Sequence, residues 1–126
     1  YCMGGPIVLR TAAAVPDRIG AGATFHGGGL VTDQPDSPHL LIPEMDAAFL
    51  IAIAENDDQK APGVKEVLKD NYEVVGLDAE IEVYKRTLHG WCPPDSSVYD
   101  KVQAERAWSR LLALFDRTLG ASVKHS

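Results

Sequence analysis

Six consecutive residues near the middle of the chain, Phe49-Leu50-Ile51-Ala52-Ile53-Ala54, are apolar at every position. A strand with one wet face alternates apolar and polar side chains. An unbroken apolar run instead demands cover on both faces, the condition of an interior strand in a parallel sheet with helices above and below. Glu55-Asn56-Asp57-Asp58 follows at its carboxyl end. In open α/β sheets that is the end at which functional side chains gather.

The flanking sequence fits such a sheet. Ile19 to Phe25 carries glycines that permit close backbone approach and reads as a second buried strand. Glu80-Ile81-Glu82-Val83-Tyr84-Lys85 alternates charged and apolar residues, which predicts a third strand near a sheet edge with one packed and one wet face. Met3 to Ala14 reads as a helix that ends before Pro16. Pro62 to Asn71 reads as a short helix with Val64, Val67 and Leu68 on one face. A long helix is predicted from about Tyr99 to Thr118, capped at Ser96/Ser97 and ended by Gly120, with Ala104, Trp108, Leu111, Leu112 and Phe115 as its buried stripe. His26-Gly27-Gly28-Gly29 closes the second strand, and Asp33 to Pro38 is loop chemistry.

The order helix, strand, strand, helix, strand, helix gives an α/β fold of about three parallel strands with flanking helices. Residues 1–120 are expected to form one partial domain and residues 121–126 a disordered tail. Three strands make a small sheet for this architecture, and the two apolar ones ask for more cover than the chain obviously supplies.

At 126 residues there is room for one domain, since domains usually hold roughly 100–150 residues. A net charge of −6 with dispersed acids argues against a nucleic-acid surface, which needs clustered Lys and Arg. No apolar run reaches the roughly 18 residues of a membrane span, and no basic-then-apolar signal opens the chain. A soluble, unexported protein is therefore expected. Cys2 and Cys92 are too few for a disulfide scaffold.

Chemistry enters at the first residues, Tyr1-Cys2-Met3-Gly4-Gly5. A nucleophile elbow sets its reactive residue on a sharp strand-to-helix turn with small neighbours, and Cys2, two residues before Gly4, sits where that pattern wants the nucleophile. The first Gly of the pattern and the strand before it are missing. Acyl transfer further needs a base and a carboxylate to orient it, in the order nucleophile, acid, His. Cys2, Asp57 and His89 occur in that order, each after the carboxyl end of a predicted or implied strand. Asp58 and Glu55 compete with Asp57 in the same turn. A working thiolate at Cys2 must stay reduced, so a cytoplasmic setting is expected.

Cys2-Met3-Gly4-Gly5, Ala54-Glu55-Asn56-Asp57 and Leu88-His89-Gly90-Trp91, with Tyr99-Asp100 and Ala107-Trp108 beyond, together resemble the dienelactone hydrolase family. The resemblance runs to about Leu119 and implies the C-terminal half of an α/β-hydrolase fold. It implies hydrolysis of a small-molecule ester or lactone by a Cys nucleophile, with no metal and no cofactor. Under it, Cys2 is the nucleophile, His89 the base and acid, and Asp57 the group that fixes the His tautomer. The Met3 backbone N–H is one oxyanion donor; the other belongs to an early loop that this chain does not contain. A neighbouring His and a helix start would hold the thiol below the ~8.5 of free Cys. In dienelactone-cleaving members an Arg four residues after the His grips the substrate carboxylate. Pro93 stands there, which counts against a carboxylated dienelactone.

The expected partners are the substrate and either the missing N-terminal half or another chain along the sheet edge. The alternative function is a non-catalytic truncated hydrolase or interaction module that pairs through that edge. Trp91 and Cys92 are substrate-pocket candidates, with simple packing as the competing role. His26 reads as a structural loop residue, because the glycines after it lack the Lys and Ser/Thr of a phosphate loop. No ligand spacing supports a metal site built from His26, His39 and His89.

Overall fold

The computed structural model describes Tyr1 and residues 4–120, with the backbone alone for the last two. In chain order the elements are α1 (Gly4–Ala14), β1 (Ala21–Phe25), a 3-10 helix (Pro38–Glu44), β2 (Ala48–Ala54), α2 (Glu55–Lys60), α3 (Gly63–Val75), β3 (Ala79–Tyr84) and α4 (Lys101–Phe115). A π-helical turn over Asp116–Gly120 ends the described chain.

The three strands form one parallel sheet in the order β1-β2-β3. β2 is thus interior, as its uninterrupted apolar run requires. Its odd-numbered side chains, Phe49, Ile51 and Ile53, enter a core built with Leu9 and Ala12 of α1, Ile42 of the 3-10 helix, and Leu68 and Tyr72 of α3. Its even-numbered side chains, Leu50, Ala52 and Ala54, enter a second core with Ala107, Leu111 and Leu114 of α4, Tyr84 and Trp91. The alternation of a strand thereby divides one apolar segment between two layers. Gly22 is the β1 partner of Phe49. A Cβ on Gly22 would lie 2.6 Å from the Phe49 ring, so the glycine makes room for the phenyl group.

Five features differ from expectation. The acidic segment after β2 is the helix α2 rather than an open turn, and a 3-10 helix fills the stretch before β2. The cap of α4 is Asp100, whose carboxylate accepts the Gln103 N–H at 3.0 Å, while Ser96 and Ser97 lie in the preceding turns. The predicted stripe on α4 is rotated. Ala107, Leu111 and Leu114 face the sheet, whereas Trp108 is 58% exposed, Leu112 49% and Phe115 38%. Finally, Glu80 and Glu82 on the even-numbered face of β3 are partly exposed and are reached by arginines of α4 rather than standing free in water.

The last two differences go together. Arg106 Nη2 meets Glu82 Oε1 at 2.7 Å, and Arg110 Nε meets Glu80 Oε2 at 2.8 Å with a second, parallel contact. The Arg106 guanidinium also lies 5.1 Å above the Tyr84 ring. These Arg partners tie the charged side chains of β3 to α4, and they are compatible with the rotation that turns Ala107, Leu111 and Leu114 inward. Arg110 holds the Glu80 carboxyl below its ordinary range through this hydrogen bond, against the opposing effect of burial. No helix among the described residues is long and apolar enough to cross a membrane.

Candidate active site

The site forms at the carboxyl ends of β2 and β3, where Ala54 pairs with Tyr84. Beyond that pair the chain after β2 enters α2 and the chain after β3 enters the loop carrying His89. Three consecutive α2 residues engage that loop. Glu55 donates its backbone N–H to Thr87 Oγ1 at 3.1 Å and accepts the Arg86 N–H on its own carboxylate at 2.9 Å. Asn56 Oδ1 accepts the His89 N–H at 2.8 Å. Asp57 Oδ2 lies 2.6 Å from His89 Nδ1.

The loop is built to receive these contacts. Thr87 is buried, and its hydroxyl donates to the Tyr84 carbonyl at 2.6 Å. Arg86 turns the chain with φ 61 and Gly90 with φ 95; the second value lies where side chains are poorly tolerated, which explains a glycine directly after His89. The Asp57 and His89 side chains remain 26% and 40% exposed, so the pair is open to a ligand. The separation is that of a charge-assisted hydrogen bond, which selects the tautomer with its proton on Nδ1 and leaves Nε2 as a base.

Asp58 goes elsewhere. Its carboxylate receives Lys65 of α3 at 2.9 and 3.0 Å. The neighbouring acids of α2 therefore have distinct partners, which sequence spacing alone left open.

His26 lies at this same edge. It follows β1 in the left-handed region with φ 44, and its N–H continues the pairing with β2 by donating to the Ala52 carbonyl at 2.8 Å. Its side chain is fully buried. The ring stands edge-to-face with His89 at 5.5 Å and with Trp91 at 4.9 Å between centroids. Cys92 N–H donates to its Nε2 at 3.5 Å. Burial, reinforced by the nearby His89, pushes the His26 imidazole down to about 4, so it is neutral at physiological pH.

Trp91 is fully buried and stacks on Tyr84 with centroids 5.2 Å apart. Cys92 is half-buried and borders a hollow with Tyr1, Phe25, Tyr99, Ala104 and Trp108. His39, inside the 3-10 helix, has its Nδ1 2.6 Å from the Oγ of Ser37, which precedes that helix. Among the described residues no cluster of three or more His, Cys, Asp or Glu is arranged to hold a metal ion.

Cys2 and Met3 lie outside the described residues. Tyr1 places the start of the chain at the same edge, with its ring 5.5 Å from His26, and its carbonyl accepts the Gly4 N–H at 2.7 Å. The start of α1 comes close to the loop after β1, for a Cβ on Gly5 would meet Leu30 at 3.1 Å and the Gly27 backbone at 3.3 Å. The sequence reading singled out Asp57 and His89, which the fold brings together. It did not find Asn56 and Thr87, and it left His26 outside the site. The available signal for His26 was its position, since it too follows the carboxyl end of a strand.

Solved structures share this architecture. A candidate dienelactone hydrolase from Klebsiella pneumoniae subsp. pneumoniae superposes with a TM-score of 0.79 at 24% identity, over 91% of this chain and 49% of its own. A dienelactone hydrolase-like promiscuous phosphotriesterase from metagenomic libraries gives 0.77 at 19% identity, over 94% of this chain and 50% of its own. The chain thus spans about half the length of these structures. No curated protein matches it. The profile of the dienelactone hydrolase family matches residues 1–119, and with nearly the whole chain inside that match the protein belongs to the dienelactone hydrolase family.

Proposed function

We propose that the complete protein hydrolyses a carboxylic ester, a lactone or another activated acyl compound through a Cys2-His89-Asp57 triad. The observation that carries this reading is the 2.6 Å pairing of His89 Nδ1 with Asp57 at the carboxyl edge of a parallel sheet. Family membership supports hydrolytic chemistry.

In this mechanism His89 Nε2 takes the proton from the Cys2 thiol as sulfur attacks the acyl carbon. The C–S bond forms and the carbonyl oxygen becomes an oxyanion, to which the Met3 N–H is assigned as a donor. The intermediate collapses with cleavage of the C–O bond, and the His89 imidazolium protonates the departing alkoxide. An acyl-thioester remains on Cys2. Water then attacks it, giving its proton to His89, and as the C–S bond breaks to release the acid His89 returns that proton to the Cys2 sulfur. Asp57 keeps the Nδ1–H oriented and stabilises the imidazolium. No metal or cofactor is assigned a step.

Residues 1–120 are one part of the catalytic domain in this reading. β1 presents an unpaired edge among the described strands, and we assign the further strands, or another chain, to that edge. The thiolate chemistry suits a reducing, cytoplasmic setting.

The test is made on the complete protein with p-nitrophenyl acetate and a simple enol lactone. Intact mass should show an acyl adduct on Cys2, and Cys2→Ala or His89→Ala should remove hydrolysis. Unchanged turnover in both variants would overturn the triad.

A further inference from the structure

We infer that His26 is a positioning residue of the site, holding the His89 ring in its working orientation from the buried side. The inference rests on the reading of His89 as the catalytic base.

Four independent observations meet at this residue. Its side chain is fully buried although it is polar. Its ring touches the two side chains that bracket the His89 turn, His89 itself and Trp91, in both cases edge-to-face. Its Nε2 accepts a backbone N–H from Cys92, three residues past His89. Its own backbone adopts a left-handed conformation that a non-glycine residue rarely takes, and such conformations concentrate where a side chain is being aimed at a functional site.

The contacts explain the arrangement. Asp57 and Asn56 hold His89 from the α2 side, through Nδ1 and the backbone N–H respectively. Neither of these fixes the ring from the direction of β1. His26 supplies that third constraint, because its backbone is tied to β2 at Ala52 and its ring cannot shift without moving Trp91. Trp91 is itself stacked on Tyr84 of β3. The imidazole is thus held by a backbone anchored on β2 and by ring contacts with the loop, which Trp91 in turn ties to β3.

Charge suits the role as well. When His89 gains a proton during turnover, a neighbour that stays neutral adds no like-charge repulsion. An aromatic ring beside an imidazolium is compatible with it, whereas a buried cation there would oppose protonation.

The experiment compares two variants of the complete protein with the parent. His26→Gly removes the ring and accepts the left-handed backbone without strain. His26→Asn tolerates the same backbone and puts a planar polar group back beside the His89 ring, though it is too short to reach Cys92. Two readouts are taken: kcat and KM for p-nitrophenyl acetate, and the alkylation rate of Cys2 by iodoacetamide at pH 6. The second reports the thiolate–imidazole pair without requiring turnover. His26→Gly should lower kcat by roughly 10- to 100-fold, the cost of misplacing a reacting group by about an ångström. KM should stay within about twofold and Cys2 alkylation should slow in parallel. His26→Asn should recover part of both losses.

If His26→Gly does not fold, His26→Asn decides alone, with a fall in kcat and in alkylation supporting the role. Variants that fold and keep both rates within twofold of the parent would overturn it, as would a loss confined to KM. His89→Ala is the control. If it leaves hydrolysis and alkylation unchanged, the reading of the base is what fails. If it abolishes both while the His26 variants do not, only the positioning role fails.

Discussion

Asn56 accepts the main-chain N–H of His89 on its side-chain oxygen at 2.8 Å, one residue before the carboxylate that meets the His89 ring. Backbone and ring of one residue are therefore gripped by consecutive side chains of α2. Asn56→Ala should lower kcat by roughly 10-fold or more, because the Gly90 turn would no longer be pinned. Asn56→Asp keeps an acceptor and should retain more activity. Steady-state kinetics of both variants checks this.

Asp57 and Asp58 should separate sharply. Asp57→Asn preserves shape but favours the wrong His89 tautomer, and a loss on the order of 10³–10⁴ in kcat is expected by analogy with hydrolase triads. Asp58→Asn breaks only the Lys65 pair on α3 and should leave kcat within a fewfold. Comparable losses in the two would contradict this division.

Stability should fall in mild acid because of His26. Its folded-state value is about 4, below the ~6.5 of an exposed His. Between those values the unfolded chain binds the extra proton, so stability rises with pH across the window and is flat in this respect above it. The full effect is on the order of 3 kcal/mol. Glu80, held low by Arg110, adds a further loss only at the lower pH where carboxylates protonate. Urea denaturation at pH 7, 5.5 and 4.5 should show the decline, and His26→Asn should flatten the upper part of it.

Gly22→Ala should destabilise the protein by about 1–3 kcal/mol, the usual cost of overfilling a tight core. The added methyl would run into the Phe49 ring, which is fully buried and has little room to turn. Phe49→Leu in the same chain should recover part of the loss. A denaturant midpoint unchanged by Gly22→Ala would contradict the close approach.

What the sequence disclosed followed from local rules. β2 was legible because an all-apolar run has few homes, and Asp57 and His89 because both follow strand ends. The rotation of α4 was not. Its sequence offers two overlapping apolar stripes, and the choice between them depends on partners far away in the chain: Leu50, Ala52, Ala54 and Trp91 in the core, and Glu82 and Glu80, which Arg106 and Arg110 reach. Asn56 was hidden for a similar reason, since its neighbours made the segment look like a solvated acidic turn. Only the β2–β3 register shows that it faces the His89 backbone.

That register carries a consequence for folding fidelity. Asp57 stands three residues beyond Ala54, and His89 five beyond its partner Tyr84. A slip of β3 by two residues would keep every side chain on its own face of the sheet, so burial would barely object, yet it would carry His89 roughly 6–7 Å along the strand direction. The hydrogen bonds from Asn56 and Asp57 can close in one alignment alone. The same two side chains that orient the imidazole thus act as a vernier on the sheet, rejecting an offset that hydrophobicity would accept.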